Sequence, residues 1–314
     1  MTRNGIPLVT LASLLLFLSP AAGQETRREE GSSRAPLAAT SDHPETRPRG
    51  SLRSFRPRIE LGNEWLSRAS GVELHTVEAQ AKLPLYPWFG PPPPAITFGF
   101  GYTDLASSHA ELPSELYAYS TSLAWLRPID DVWTLRLQAG VTLATDGDNL
   151  TSDAWQFRGS ALAIYQRNPE LQWVLGLVAL PQRGIPVLPA VGVTWQPSPD
   201  LRVDLVMPRP RVTTLVAQTS HGQHWGFVGL ELGGNTWGVE RPNGADERLK
   251  YSDWRAVIGW EMKPHPPDVG PPAPGGFSAQ LQLGYAFSRE LEFDGRGEDR
   301  RLSDALLLSL RLSF

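Results

Sequence analysis

The chain contains no cysteine. That excludes disulfides, and it removes the thiol through which an exported bacterial lipoprotein is lipid-anchored. Beyond the first two dozen residues there is no window of 18 apolar residues and no sustained helical stripe, which excludes membrane-spanning helices and a helical bundle. Charge of one sign is also missing: 29 Lys and Arg stand against 33 Asp and Glu, a net charge of -4, so nothing points to nucleic acid as a partner. Core-forming residues are plentiful, because 41% of the 314 residues are hydrophobic.

The chain opens on a short start carrying Arg3, an apolar run over residues 6–18, then Pro20 and the small residues Ala21, Ala22 and Gly23. This pattern predicts a signal peptide over residues 1–23, cut near Gly23 and too short for a membrane span. Residues 24–54 are Arg, Glu, Ser, Pro and Thr with scarcely an aromatic, a composition that cannot bury enough apolar area to offset its ordering entropy. They read as a disordered leader. The clustered Arg47, Arg49, Arg53, Arg56 and Arg58 leave anionic-polymer binding as a minor alternative to a solvated tether.

From residue 55 onward the sequence alternates with period two. Val77, Ala79, Ala81, Leu83 and Leu85 make one apolar face, Ile96, Phe98, Phe100 and Tyr102 the next, then Trp133, Leu135, Leu137, Ala139, Val141 and Leu143. The pattern continues through Trp155 to Tyr165, Leu171 to Ala179, Val187 to Trp195 and Leu201 to Met207, and again from Trp254 and from Phe277. Residues 212–218 and 224–232 alternate more weakly. Short connections rich in Pro, Asn and Asp (127–131, 167–170, 197–200) take turns with long polar ones (103–113, 145–153, 233–250, 289–303), the signature of an up-and-down meander. The Pro-rich stretches 89–94 and 263–274 read as extended linkers.

A soluble sandwich and a membrane barrel both bury one face of every strand, so other observations must decide. About thirteen alternating segments in an open sheet would leave edges that closure removes. The better segments reach ten residues, and at roughly 3.3 Å per residue and a tilt near 40° these rise about 25 Å, the height of an outer-membrane apolar band. Aromatics gather near segment ends, while the opposite face is small or polar, as at Thr134, Arg136, Gln138 and Gly140. The expectation is an all-β, transmembrane antiparallel up-and-down β-barrel of 12–14 strands over residues 55–314. An even count of fourteen needs residues 58–66 as an extra first strand; a kink at 207–211 or a lost weak segment lowers it towards twelve.

The chain ends LSLRLSF, with Leu308, Leu310, Leu312 and Phe314 on one face and Arg311 on the other. Such a terminal strand with a last aromatic resembles the outer-membrane β-barrel superfamily, in which the assembly machinery reads that strand. The resemblance implies export to the bacterial outer membrane, the lipid bilayer and that machinery as partners, and those four residues as the assembly signal. Residues 95–314, through WLRPIDDVWTLRLQAGV and LPAVGVTWQPSPDLRVDLVMPRPRV, also resemble a family of uncharacterised bacterial outer-membrane proteins classed only as a domain of unknown function. That likeness implies a fold and a location, with no activity or site residues to carry over.

Sites of chemistry are few. His221 and His224 have a metal-like spacing, but three residues along a strand separate them onto opposite faces unless Gly222 opens a turn. Ser220 beside His221 suggests a hydrolase, without an identifiable third group to orient the base. The acidic loops 145–149 and 294–299 fit no calcium-loop spacing and read as solvated turns. No catalytic residue, cofactor or metal ligand is assigned. The leading expectation is a passive channel for small polar solutes or a structural barrel. Arg136, Gln138, Arg158, Gln280, Gln282 and Arg311 would line the lumen and bias it towards anions, although a barrel of this size can also be plugged by its own side chains. The alternatives are an outer-membrane hydrolase and a secreted β-sandwich binding module.

Overall fold

The computed structural model describes residues 57–314 except 89, 91, 110, 180–186, 266–275 and 295–298. The expected signal peptide and leader lie outside the described residues. The strands are β1 (Arg58–Ala69), β2 (Val72–Pro84), β3 (Ala95–Ser107), β4 (Glu115–Pro128), β5 (Trp133–Thr145), β6 (Trp155–Asn168), β7 (Leu171–Ala179) and β8 (Val187–Ser198). They continue as β9 (Leu201–Val206), β10 (Arg211–Thr219), β11 (Gly222–Glu240), β12 (Asp246–Lys263), β13 (Ser278–Phe293), β14 (Arg300–Leu302) and β15 (Ala305–Ser313). A 3-10 turn, Ser152–Ala154, precedes β6.

Each strand from β1 to β13 pairs antiparallel with the next, β13 pairs also with β15, and β15 returns to β1, closing the ring. The short β14 continues the line of β15, so the wall has fourteen strands among the described residues. Closure extends to the last residue, since the Phe314 amide donates to the Ile59 carbonyl at 2.9 Å and the Ile59 amide donates back at 3.2 Å. Both described chain ends therefore lie on one rim, here called proximal; the opposite rim is distal. Residues 58–66 do supply the first strand.

Period two translates directly into two faces. Gly62 stands opposite Arg311 and Glu78, and Gly101 opposite Glu78 and Ala118, so the small and polar set runs around the inside. The alternate residues, among them Phe98, Tyr119, Leu177, Val191, Ile258, Leu283 and Leu310, form an outer belt, each about half exposed. An apolar surface encircling the barrel far exceeds the isolated patches of soluble monomers. The proximal turns are made as their composition predicts: Asp130 Oδ1 accepts from the Val132 and Trp133 amides at 2.8 and 2.7 Å, and Asn168 Oδ1 from the Leu171 amide at 3.1 Å.

Three expected connections differ. Residues 233–250 are not a loop: β11 and β12 run through them as a tall hairpin paired as far as Glu240 with Asp246. β13 likewise continues to Phe293 and β3 to Ser107, which shortens the connections expected at 289–303 and 103–113. Residues 207–210 form a turn between two strands, in which the Arg209 amide donates to the Val206 carbonyl at 3.0 Å.

That turn has a consequence for the wall. With β9 only 6 residues long and β10 only 9, β11 loses its β10 partner beyond Gly229, while its pairing with β12 continues to Glu240. A bulge between Ser252 and Trp254, with Ser288 at φ 48, bends β12 and β13 at the same height. The tall hairpin consequently leans into the barrel. Its tip meets the far wall, where Gly238 pairs in parallel with Thr145 of β5.

Candidate functional site

Two arrangements occupy the interior: a plug at the distal end and a polar lumen beneath it. The plug begins with apolar residues on the inner face. Trp237, Val239, Leu249, Tyr251, Leu291 and Phe293 from the tall strands pack with Leu66, Val72, Leu74, Leu105 and Leu116 of β1 to β4 and with Leu307 of β15, all buried. Full burial of such side chains stabilises by about 1.5–3 kcal/mol each, so the hairpin is seated firmly.

Hydrogen bonds from the β5–β6 connection clamp the hairpin tip. Asp146 Oδ2 accepts from the Glu240 amide at 2.7 Å, Asn149 Nδ2 donates to the Val239 carbonyl at 3.2 Å, and the Asp146 amide donates to the Gly238 carbonyl at 3.1 Å. Gln156 Nε2 donates to the Thr236 carbonyl, and Arg158 Nη2 to Asn235 Oδ1 at 2.7 Å. The acidic loop 145–149 is thus a structural clamp, and it is held in shape by Asp146 Oδ1, which accepts from the Asp148 and Asn149 amides. Of the other acidic loop, residues 295–298 lie outside the described residues.

Under the apolar layer runs a buried ionic chain. Arg255 Nη1 meets Glu64 at 2.8 Å and its Nε meets the fully buried Asp253 at 2.9 Å. Tyr251 donates to Asp253 Oδ2 at 2.9 Å, and Arg289 Nε donates to the Tyr251 hydroxyl at 2.9 Å while its Nη1 donates to the Ser303 carbonyl. Tyr251 lies distal to the apolar belt. Burial, followed by the neighbouring Asp253 carboxylate, pushes its phenol upward, so it stays a protonated donor. A Cβ at Gly233 would collide with the Asp253 carboxylate and the Arg255 guanidinium, which is why a glycine stands there.

The lumen proper divides the six residues singled out from the sequence. Gln138 and Arg158 line a cavity of about 310 Å³ together with Gln80, Thr97, Ser120 and Ser160. Gln280 and Arg311 line a smaller one of about 70 Å³ near the proximal rim, with Arg58, Glu60 and Glu261. Gln282 donates to Glu231 at 2.6 Å, and Arg136 stands between Leu126 and Leu162, lining neither cavity. Several interior cations are met by acids: Arg211 and Lys263 pair with Glu261 at 2.7 and 3.1 Å, and Arg202 with Asp204 at 2.9 Å.

His221 and His224 are separated by the turn. His224 Nε2 lies 3.0 Å from Thr219 Oγ1 and its ring stacks on Trp260 at 5.5 Å, whereas His221 Nδ1 lies 3.2 Å from Ser220 Oγ. Among the described residues no group of three His, Asp or Glu side chains could hold a metal ion. Of the terminal residues, Leu308 and Leu310 face outward in the belt, Leu312 follows in the same phase, and the Phe314 ring lies 5.4 Å from that of Phe277.

Sequence reasoning allowed for a plug of the barrel's own side chains without naming its residues, and it passed over the ionic chain. Asp253 and Arg255 alternate with the outward Trp254 and Ala256, so their inward direction was readable; the pairing of Arg255 with Glu64 joins strands 191 residues apart and was not.

Residues 94–303 match the family described as "Domain of unknown function (DUF6268)". None of the curated proteins matches in sequence. Among solved structures the chain is similar to a NanC porin (10% identity, TM-score 0.38, covering 82% of this chain and 98% of that one). It is also similar to a bacterial polysaccharide outer membrane secretin (10%, TM-score 0.41, 83% and 98%) and to a KdgM porin (6%, TM-score 0.32, 82% and 98%).

Proposed function

This chain belongs to the DUF6268 family of unknown function, and from its geometry we propose that it resides in the bacterial outer membrane as a narrow channel for small polar solutes, shut at its distal mouth. The observation that supports the reading is the pairing of an all-round apolar belt with a polar interior cavity, a combination that makes sense in a bilayer with water inside. In this reading the distal rim faces outward from the cell, and the short proximal turns face the periplasm. No catalytic step enters the proposal. A permanently closed structural barrel is the second reading, favoured by the apolar plug itself.

The test has two stages. The purified protein should fractionate with outer membranes and migrate faster on gels before heating than after it. In planar bilayers it should show small, infrequent conductance steps. A protein recovered in the soluble fraction without detergent would overturn the location. An inserted barrel that never conducts, even with its hairpin removed, would leave the structural reading. For the hydrolase alternative, lipid hydrolysis by the purified protein that disappears on replacing Ser220 would reverse the preference.

The terminal strand carries a separate expectation. Phe314 sits at the proximal edge of the belt, where an acidic residue costs at most about 1 kcal/mol. Phe314→Asp should nonetheless remove most of the membrane-assembled protein, because the loss lies in recognition by the assembly machinery, while Ser313→Ala should assemble normally. Equal assembly of both variants, scored by heat-modifiable migration, would refute the assembly signal.

A further inference from the structure

The cavity of about 310 Å³ is lined from β2 to β7, by hydroxyl and amide side chains together with Val141, Val178 and Ala179, and Arg158 is the charged residue among its described lining. Gln138 stands opposite Ser160 and Thr97 opposite Ser122, so donors and acceptors cover neighbouring strands at one level. Gly140, between Ser122 and Arg158 in the register, leaves the space in front of the guanidinium open; a side chain there would strike Ser122 and the Thr121 carbonyl. The interior arginines Arg202, Arg211 and Arg255 each have a carboxylate within ion-pairing distance. Arg158 has amide oxygens instead: Asn235 Oδ1 at 2.7 Å and Gln156 Oε1 at 3.5 Å. Glu78 faces the same lumen from β2 but does not line the cavity.

A guanidinium in a confined site binds a carboxylate more strongly than a neutral amide, through charge-assisted hydrogen bonds. Hydroxyl groups, which donate and accept, suit a solute that carries hydroxyls of its own. We propose that this cavity is the binding site for a small polyhydroxylated carboxylate, held by Arg158, with the Asn235 side chain occupying the carboxylate's place when the site is empty. The assignment deepens the channel reading above and rests on it for the route by which the solute arrives. Because Asn235 belongs to the crossing hairpin, the arriving anion takes over one of the hairpin's clamps.

The test is calorimetric titration of the full-length, detergent-folded protein with sodium gluconate, and with glucose, acetate and inorganic phosphate for comparison. Gluconate should bind at least about ten-fold more tightly than each of the other three. Glucose binding as tightly would overturn the role of charge, and acetate or phosphate binding as tightly would overturn the role of the hydroxyl lining. Arg158→Gln should abolish gluconate binding, and Arg158→Lys, which keeps the charge and guards against misfolding of the first variant, should weaken it. Asn235→Ala should tighten it several-fold by removing the internal competitor; weaker binding would show that Asn235 is no stand-in. Arg301→Gln removes an equal charge from the exposed surface and should change nothing, and an equal loss there would overturn the site. A barrel that conducts yet ignores gluconate overturns this proposal and spares the channel. A barrel that binds gluconate and never conducts, even with its hairpin removed, keeps the site and overturns the channel.

Discussion

Replacing Gly238 by valine is expected to loosen the tip of the β11–β12 hairpin from the far wall and to raise the frequency of conductance steps in a barrel that otherwise passes little current. A Cβ at position 238 would stand 2.7, 2.8 and 2.9 Å from the amide nitrogen, Cα and Cβ of Ala154. Two of those three atoms are backbone, so no rotamer change relieves the collision. Overpacking of this kind costs about 1–3 kcal/mol, comparable with one or two of the clamping hydrogen bonds from Asp146 and Asn149 at about 0.5–1.5 kcal/mol each. The tip should separate from the β5–β6 connection while the belt, which the substitution does not touch, stays intact. Single-channel recording in planar bilayers reads the outcome, beside a variant in which a short turn replaces residues 235–248. If the shortened variant conducts and Gly238→Val does not, the contact with Ala154 is not what seats the hairpin.

The second large effect is on stability. Arg255→Met should lower the unfolding free energy by about 3–5 kcal/mol, the usual result of leaving a buried charge without its partner. Asp253 is fully buried and would lose the guanidinium paired with it, while Glu64 would lose a contact of 2.8 Å. The double variant Asp253→Asn/Arg255→Met should recover part of the loss because the stranded charge is gone. The contrast is Arg202→Met at the half-exposed pair with Asp204, expected to cost under about 1 kcal/mol. Urea unfolding in detergent, followed by tryptophan fluorescence, separates these values. A loss at Arg255 no larger than that at Arg202 would mean that water reaches the chain of charges.

Where the wall faces apolar surroundings on one side and the lumen on the other, its strands were legible in the sequence. β3, β5, β7 and β13 alternate cleanly because every outward residue meets the same environment and every inward one its opposite. The rule inverts at the distal end. Trp237, Val239, Leu249 and Tyr251 point inward into the plug, and the residues between them are polar, so the phase of the alternation is reversed in the same stretch where Gly, Asn and Pro thin it out. Residues 233–250 read as a polar loop for that reason. Arg136, Gln138, Arg158, Gln280, Gln282 and Arg311 were placed on one face by parity alone, but parity says nothing of height or of distance across the barrel. Which of them share a cavity, and that Arg158 reaches Asn235, depends on contacts between strands 77 residues apart.

The seam between β15 and β1 bears on folding as well as on shape. Neighbouring wall strands meet across short stretches of chain, as when Asn63 and His75, 12 residues apart, join β1 to β2. At the seam the same kind of pairing brings together Arg58 and Ser313, 255 residues apart. Closing a loop of that length costs roughly 3 kcal/mol more in chain entropy than closing the short one, for no gain in the number of backbone bonds per residue. The ring therefore has one junction that nothing local favours, and a chain with the other thirteen junctions of its fourteen-strand wall already formed still carries two open edges until that junction forms.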